Sequence, residues 1–300
     1  MTRSEKLVQG SLADAIHRAA HTLSNAGIED APLEAELLLR HVLGINRAQL
    51  YIRLEESLAA EEAEAFQRLV ERRLRREPSA YITGQREFYG LEFYVNTHVF
   101  IPRPESELLV ERALKQARCL LASRESFTSP APILIADVGT GSGAIAISLA
   151  LNLPQTKVYA IDVSAAALEV AAINCRRHEV TEQVVLLQGD MLTTLPEPVD
   201  LIVANLPYIK ESELSELNSE VVDFEPFLAL YGGRDGLDKI QSLLSQSKDK
   251  LRPNAHILLE IGMGQEEEVL SLVTQCLPMA EIKSFHDLNG INRVIEIHEL

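Results

Sequence analysis

One segment of this sequence places three chemically distinct side chains where a buried strand should end. The apolar run VDLIV (199–203) predicts the strand, and ANLPYIKE (204–211) follows it with an amide, a rigid ring and an aromatic. Asn and Pro are ordinary turn residues, so a plain strand-to-loop connection is one interpretation. Groups fixed by a strand end and a proline can also hold a reacting group in one orientation. The other strand ends decide between the two interpretations.

A glycine-rich loop, DVGTGSGAIA (137–146), follows the first predicted strand of the same region. Its glycines allow a tight turn and a close approach of the backbone to a ligand, next to the N–H groups of a helix N-terminus. This position suits a nucleotide-type ligand at the carboxyl edge of a doubly wound sheet. A glycine turn without a ligand is the alternative. The predicted ligand-binding residues are Gly139, Thr140, Gly141, Ser142 and Gly143.

Acidic residues end the next two predicted strands. Asp162 follows the loop at about the 20-residue spacing at which a carboxylate accepts hydrogen bonds from ribose hydroxyls. Asp190 can accept a hydrogen bond from the adenine amine, with Met191 packing on the ring, although Asp190 alone is equally a turn residue. Together these residues predict an adenosine-containing cofactor. The loop also satisfies G-x-G-x-x-A, so a dinucleotide stays open at this point.

The elements that must position these residues alternate between strands and helices. Apolar runs separated by helical segments predict a mostly parallel α/β sheet covered on both faces. The last two runs are joined by DLNGIN, which is short enough for a hairpin, so one antiparallel strand is expected near the end of the sheet. The runs are ILIADV (133–138), KVYAID (157–162), VVLLQGD (184–190), VDLIVAN (199–205), HILLEIG (256–262), AEIKSF (280–285) and RVIEIHEL (293–300).

Residues 1–80 predict a small helical domain, because their apolar residues recur at helical spacing. Ser11 is the expected N-cap of its first helix, Gly27 and Gly44 are expected stops, and Pro32 suits a first helical turn.

Residues 81–101 change to short aromatic and β-branched pieces divided by Gly90, which predicts a β-hairpin linker. The sheet domain is expected over 102–300, with a helix beginning near Pro104.

The composition of the 300 residues is typical of a globular chain, with 46% hydrophobic and 24% charged residues. No apolar run approaches the roughly 18 residues needed to span a bilayer, and no signal peptide is recognised, so a soluble, cytoplasmic protein is expected. The net charge of −16 weighs against direct nucleic-acid binding. An arginine cluster over 72–76 is interpreted as the solvated end of a helix.

No metal site is predicted. Cys119, Cys175 and Cys276 are isolated from one another, which fits a reducing compartment. His17 and His21 stand one helical turn apart, as two ligands would, but no third ligand is nearby in the sequence.

The glycine loop, the two acidic strand ends and N-x-P-Y together resemble a class I methyltransferase that uses S-adenosylmethionine. With the helical domain and IPRPESE (101–107) added, nearly the whole chain resembles the HemK/PrmC family, the N5-glutamine methyltransferases of peptide chain release factors. AYITGQREFYGLEF (80–93), FEPFLAL (224–230) and NGINRVIEI (289–297) extend the resemblance.

The resemblance implies a role for each residue of the opening segment. The Asn205 side-chain oxygen and the Leu206 carbonyl would accept the two N–H hydrogens of a glutamine amide in the GGQ motif of a release factor, aiming its nitrogen at the methyl group. Pro207 would fix the backbone and Tyr208 would pack against the substrate. It also implies that IPRPESE covers the methionine end of S-adenosylmethionine. Residues 11–77 show helix patterning and an arginine cluster but no nucleophile, metal or phosphate motif, so the domain of residues 1–80 is expected to recognise the release factor. A monomer is expected.

One departure keeps a second function open. The family usually has proline at both central positions, whereas here the first is Leu206. Because Leu206 precedes Pro207, its backbone still favours the extended region. N-L-P-Y also resembles the motif of ribosomal RNA adenine methyltransferases, so an enzyme acting on a nucleic-acid base is the runner-up. An NAD-dependent oxidoreductase lacks a convincing acid/base residue, and an intact Asn205 argues against a module that only binds the cofactor.

Overall fold

The computed structural model describes residues 10–124 and 132–298. These residues divide into two compact units, Met1–Gly84 and Gln85–Leu300. No helix within the described residues is long and apolar enough to cross a membrane.

The first unit is built of helices, as predicted. Ser11 caps the first helix reciprocally: its hydroxyl accepts from the Asp14 N–H at 3.2 Å, and the Asp14 carboxylate accepts from the Ser11 N–H at 3.0 Å. Gly44 ends the second helix in the left-handed conformation that glycine adopts without strain. The helices are α1 (Leu12–Asn25), α2 (Ala31–Leu43), α3 (Arg47–Ile52), α4 (Ala60–Leu74) and α5 (Ser79–Thr83).

The arginine cluster at the end of α4 is not the solvated face that the sequence suggested. Arg73 is only 4% exposed and pairs with Glu34 at 3.2 Å. Arg76 donates to the carbonyl of Gly27 at 3.1 Å, just beyond the end of α1. The cluster therefore ties α4 to the ends of neighbouring segments, because each guanidinium can satisfy several acceptors at once.

The second unit opens with a hairpin. Its strands β1 (Gln85–Phe88) and β2 (Leu91–Tyr94) pair antiparallel. Tyr89 and Gly90 connect them, and both have positive φ, as a tight two-residue hairpin turn requires. The predicted linker over 81–101 thus contains a hairpin, which belongs to the same compact unit as the sheet.

A seven-stranded sheet with flanking helices forms the rest of this unit. A 3-10 turn, Pro104–Ser106, leads into the helix that was predicted near Pro104. The strands are β3 (Ile133–Val138), β4 (Thr156–Asp162), β5 (Val184–Gln188), β6 (Val199–Ala204), β7 (Leu251–Glu260), β8 (Glu281–His286) and β9 (Asn292–His298). The helices are α6 (Glu107–Arg124), α7 (Ala144–Asn152), α8 (Ala165–Arg177), α9 (Ser219–Phe224), α10 (Phe227–Leu230), α11 (Asp238–Ser247) and α12 (Glu266–Cys276).

The strand order is β5-β4-β3-β6-β7-β9-β8. Pairing is parallel from β5 to β7, and β9 alone runs against the other strands, which confirms the predicted single reversal. β9 lies inside the sheet and β8 forms its edge. The burial patterns explain this order, since β9 carries four consecutive buried residues, whereas β8 is half-buried or exposed along its length.

Two hydrophobic layers enclose the sheet. One face packs against α6 and α7 and the other against α11 and α12. All six residues of β3 and of β6 are buried, as expected for central parallel strands covered on both sides.

A polar contact fixes α6 on its sheet face. The buried Glu296 carboxylate on β9 accepts from Arg112 at 2.8 Å and from Gln116 at 2.6 Å. The Arg112 guanidinium also lies 3.5 Å from the centre of the Phe285 ring on β8. A helix and two strands therefore share one charged contact.

Replacing Glu296 tests this contact. Glu296→Gln should lower the free energy of unfolding by on the order of 2 kcal/mol, because Arg112 would lose its buried counter-charge. Glu281→Gln, on the exposed start of β8, is the matched control and should change it by less than about 0.5 kcal/mol. Urea unfolding followed by circular dichroism measures both, and equal effects would contradict the assignment.

Candidate active site

A cavity of about 300 Å³ lies at the carboxyl ends of the parallel strands. That volume suits a small ligand. Its described lining comes from the second unit alone and includes the ends of β3, β4, β5 and β6. Val138 pairs with Ile161 on one side and Ala204 on the other, so the residues that follow these strands emerge side by side.

The glycine loop wraps over the end of β4. The N–H groups of Gly139 and Thr140 both donate to the Ile161 carbonyl, at 2.9 and 3.0 Å. Gly141 donates to the Asp162 carboxylate at 2.9 Å. Gly139 and Gly141 have positive φ, a conformation that would strain other residues. Gly139, Thr140, Gly141 and Ser142 line the cavity.

Gly143 differs from the rest of the loop, since it is not among the lining residues. A Cβ atom there would lie 3.2 Å from the Ile147 side chain and 3.3 Å from the Ala171 Cβ atom. Gly143 therefore allows α7 to begin close to α8, and it supports the loop from behind.

Asp162 holds the loop as well as facing the cavity. One carboxylate oxygen accepts from Gly141 and the other accepts from the Ser164 N–H at 2.9 Å. Burial raises the pKa of this carboxyl above its usual value, although the N–H bonds oppose that shift. The two oxygens together have more lone pairs than these N–H groups use, so the carboxylate can still accept from a ligand hydroxyl.

Asp190 and Met191 line the same cavity at the end of β5. Asp190 is exposed and Met191 is buried. Met191 has φ of 50°, which is uncommon for a residue with a long side chain and is found where surrounding contacts impose it. The turn thus presents a carboxylate and a thioether together.

Asn205, Leu206, Pro207 and Tyr208 all reach the cavity from the end of β6. The Asn205 side-chain N–H donates to the Ser106 hydroxyl at 2.9 Å. Leu206 is buried and its side chain packs against Gly139. The Tyr208 carbonyl accepts from Gln265 at 3.0 Å, and burial raises the pKa of its phenol, which keeps the hydroxyl protonated.

The PRPES and FEPFLAL segments form another wall of the cavity. Pro102, Ser106, Pro226 and residues 228–230 line it, whereas Arg103 and Glu105 do not. Arg103 instead pairs with Glu225, whose second carboxylate oxygen accepts from the Ile101 N–H at 3.2 Å. This buried pair clamps the two segments together.

Two buried acids near the cavity were not predicted. Burial raises the pKa of Asp137 and of Glu260 to about 7, despite hydrogen bonds that favour their charged forms. Asp137 accepts from the Thr140 hydroxyl at 2.6 Å, and one oxygen of each acid has no hydrogen-bond partner in the described part of the chain. The sequence feature that could have identified them is an acidic residue within each of the apolar runs ILIADV and HILLEIG.

These residues fit S-adenosylmethionine. The exposed carboxylate at Asp190 and the carboxylate at Asp162 suit an adenosine, and the glycine loop permits close approach. Buried acids with unpartnered oxygens favour a ligand that carries positive charge. Within residues 10–124 and 132–298, no group of three or more His, Cys, Asp or Glu side chains is placed to hold a metal ion.

Known proteins share this fold. A family model described as Methyltransferase small domain matches residues 116–223. The hMettl16 catalytic domain aligns with a TM-score of 0.56 and 14% identity, covering 74% of this chain and 80% of its own, a likeness that shows the fold alone. The sheet order and the cavity at its carboxyl edge define a class I methyltransferase, whose methyl donor is S-adenosylmethionine.

The family is narrower than the class. A model described as PrmC N-terminal domain matches residues 14–84. A release factor glutamine methyltransferase of Geobacter sulfurreducens is 38% identical over 274 residues, which cover 91% of this chain and 91% of the relative. This chain belongs to the release factor glutamine methyltransferase family.

A longer relative is also similar. A bifunctional methyltransferase of Rickettsia typhi is 39% identical over 299 residues, covering 97% of this chain. The chain spans 58% of that relative's length.

Removing the Asp162 carboxylate should weaken cofactor binding. Asp162→Ala loses both the loop contact and the ligand contact, so S-adenosylmethionine should bind about 1.5–3 kcal/mol less tightly, measured by calorimetry. Asp235→Ala is the control, because Asp235 also accepts a backbone N–H of its own loop, from Leu237 at 3.1 Å, but does not line the cavity. An unchanged affinity in Asp162→Ala would remove Asp162 from the site.

The raised pKa of Asp137 predicts a pH dependence of stability. Between the usual value of 3.8 and about 7 the folded protein holds a proton that the unfolded chain releases, so stability should fall as pH rises through this window. The slope from one group is at most about 1.4 kcal/mol per pH unit. Asp137→Asn keeps an acceptor for Thr140 and should flatten the slope in urea unfolding without cofactor. A slope identical to wild type would contradict the assignment.

Proposed function

We propose that this chain transfers a methyl group from S-adenosylmethionine to the side-chain amide nitrogen of a glutamine, in the GGQ motif of peptide chain release factors. The proposal rests on one observation above all: Asn205 ends β6 at the cavity with its N–H donor turned to Ser106. An amide held by its nitrogen leaves its oxygen as an acceptor. The named family relatives support the choice of substrate.

An amide nitrogen needs positioning because its lone pair is delocalised into the carbonyl. The Asn205 oxygen and the Leu206 carbonyl accept the two N–H hydrogens of the glutamine amide, which orients the nitrogen. Bound in the cavity, S-adenosylmethionine supplies a methyl group carried on a positively charged sulfur. The same two acceptors stabilise the positive charge that grows on nitrogen, and a proton leaves that nitrogen afterwards. No base has to titrate before the transfer.

The proposed partner, compartment and monomeric state are inferred from the substrate and from the net charge of the chain. A net charge of −16 suits a protein partner better than a bare phosphate backbone, so we place the activity on a release factor in the cytoplasm, performed by a single chain.

A labelling experiment tests the proposal directly. The protein is incubated with methyl-labelled S-adenosylmethionine and either intact release factor or ribosomal RNA. Label should enter the release factor at its GGQ glutamine, located by peptide mass spectrometry, and a release factor carrying alanine in place of that glutamine should stay unlabelled. Label in RNA adenine with none in release factor would reject the proposal in favour of the nucleic-acid base methyltransferase.

Asn205→Ala should lower the methyl-transfer rate by about 10²-fold or more, the scale for losing one preorganised polar contact. S-adenosylmethionine affinity and the circular dichroism spectrum should stay near wild type, because the glycine loop and Asp162 are untouched. Asn289→Ala, at an exposed position of the loop before β9, is the control and should keep the wild-type rate. A rate within about twofold of wild type in Asn205→Ala would refute the assigned role.

The helical unit, predicted over residues 1–80, is proposed to recognise the release factor. It carries exposed apolar side chains at Leu33 and Leu37 on α2 and at Tyr51 and Ile52 on α3. The Tyr51 hydroxyl donates to Glu36, which lies between the two leucines in the chain, so α2 and α3 contribute to one surface. Exposed apolar side chains of this kind are typical of protein contacts.

A surface substitution tests this role without truncating the chain. Ile52→Glu should raise KM for intact release factor about tenfold while leaving kcat and S-adenosylmethionine affinity unchanged, since burying a charge at an interface is costly. Leu288→Glu, at a fully exposed residue of the second unit, is the matched control and should change neither constant. A KM unchanged in Ile52→Glu removes this surface from recognition.

A further inference from the structure

Asn205 and Glu260 are neighbours across two parallel strands. Ala204 pairs with Leu259, so Asn205, the first residue after β6, lies beside Glu260, the last residue of β7. Burial raises the pKa of the Glu260 carboxyl, and the Ser106 hydroxyl and the Asn205 amide beside it lower that pKa. The same hydroxyl accepts from the Asn205 N–H at 2.9 Å. Three side chains from three segments thus lie together, with Ser106 and Glu260 buried and Asn205 half-buried.

We propose that Glu260 is a positioning residue that fixes which way the Asn205 side-chain amide faces; this rests on the proposed function of Asn205. In its charged form Glu260 only accepts hydrogen bonds, so it draws the Asn205 NH₂ group toward β7. The Asn205 oxygen then faces the cavity, where it accepts from the substrate amide. A flipped side chain would present two donors to a substrate nitrogen that also carries donors.

Two other buried acids of the sheet form salt bridges that Glu260 lacks, which distinguishes a positioning role for Glu260 from a role in packing. Asp200, at the start of β6, binds Arg124 at 2.5 Å and Arg252 at 3.1 Å. Glu296 binds Arg112. Glu260 has no salt bridge in the part of the chain that the structure describes, and its Oε2 atom has no hydrogen-bond partner there. A buried acid without a close cation costs stability, and fixing Asn205 accounts for its presence.

Two charged side chains from different segments shift the pKa of Glu260. Arg293 on β9 lowers the pKa of the carboxyl and Glu105 raises it, but burial has the largest effect. Arg293 is itself paired with Asp287 at 3.2 Å, which weakens its attraction for Glu260. Burial and, after it, the charge of Glu260 raise the pKa of the Tyr208 phenol, so this hydroxyl stays protonated. Glu260 therefore has the neutral Ser106 hydroxyl and Asn205 amide beside it and no salt bridge within the described residues.

A double-mutant cycle tests whether Glu260 acts through Asn205. Glu260→Gln preserves the side-chain volume but adds a donor, so either orientation of the Asn205 amide can be satisfied. The single-turnover methylation rate should fall roughly tenfold, while S-adenosylmethionine affinity and KM for release factor stay within about twofold. In an Asn205→Ala background the same substitution should have no further effect, because the group that it orients is gone.

A reciprocal exchange makes the test sharper. Asn205→Asp alone places two carboxylates side by side, which then share a proton, and the rate should fall. Adding Glu260→Gln supplies a donor toward the new carboxylate and leaves its other oxygen free as an acceptor. The double variant should therefore react about tenfold faster than Asn205→Asp alone. Glu260→Gln would then have opposite signs in the two backgrounds, an outcome that loss of packing does not produce.

Glu296→Gln is the control for burial of a carboxylate in the same sheet. It should lower stability without changing the methylation rate, and its effect on stability should be the same with and without Asn205→Ala. Two outcomes would overturn the positioning role. In one, Glu260→Gln lowers the methylation rate by the same factor with and without Asn205→Ala. In the other, Glu260→Gln lowers the rate of Asn205→Asp further.

The outcomes distinguish this proposal from the proposed function. Should wild-type protein label RNA adenine and leave release factors unlabelled, the glutamine substrate is rejected, and the same cycle is run with RNA. Coupling between Glu260 and Asn205 with that substrate supports the positioning role, and its absence overturns it.

Discussion

Parallel pairing of β3 with β4 and with β6 makes the chain leave the sheet at the same edge each time. Every other feature of the cavity depends on this constraint. It brings the glycine loop, Asp162 and Asn205 to neighbouring positions although they are far apart in the chain. Reversing a six-residue strand would move its terminal residue to the other edge, about 20 Å away. The parallel direction of the strands therefore determines which residues can form the site, whatever the orientation of their side chains.

Buried acids at the two edges of the sheet differ in the partners that surround them. At the amino end of β6, Asp200 is neutralised by Arg124 and Arg252. At the carboxyl edge, Asp137 and Glu260 are held mainly by neutral donors, and burial raises both pKa values. An edge that leaves carboxylates without close cations is less stable on its own, and a positively charged ligand offsets that cost. The charge balance thus couples cofactor binding to folding.

Much of the fold is readable from the sequence, because strand-length apolar runs, helix caps and glycine stops are local signals. The glycine loop, Asp162, Asp190 and Asn205 could be expected together, since parallel strands align their ends. The inner position of β9 could not be predicted, because it depends on how deeply β8 and β9 are buried relative to each other. Asp137 and Glu260 could not be separated from Asp200 by sequence, because all three are acids in apolar runs and only their partners differ. The paired arginines at the end of α4 were misjudged for the same reason.

The inner position of β9 also sets an order of assembly. β8 precedes β9 in the chain but has β9 as its neighbour in the sheet, so it gains backbone partners when the two close as a hairpin. Hairpins of this size form within microseconds, well before distant strands meet. Docking of that hairpin then adds β9 to β7, from His256 to Glu260, and joins the Ile261 N–H to the Arg293 carbonyl at 2.9 Å. Glu260, which pairs with Val294 of β9, therefore gains its outer strand neighbour only when that hairpin docks.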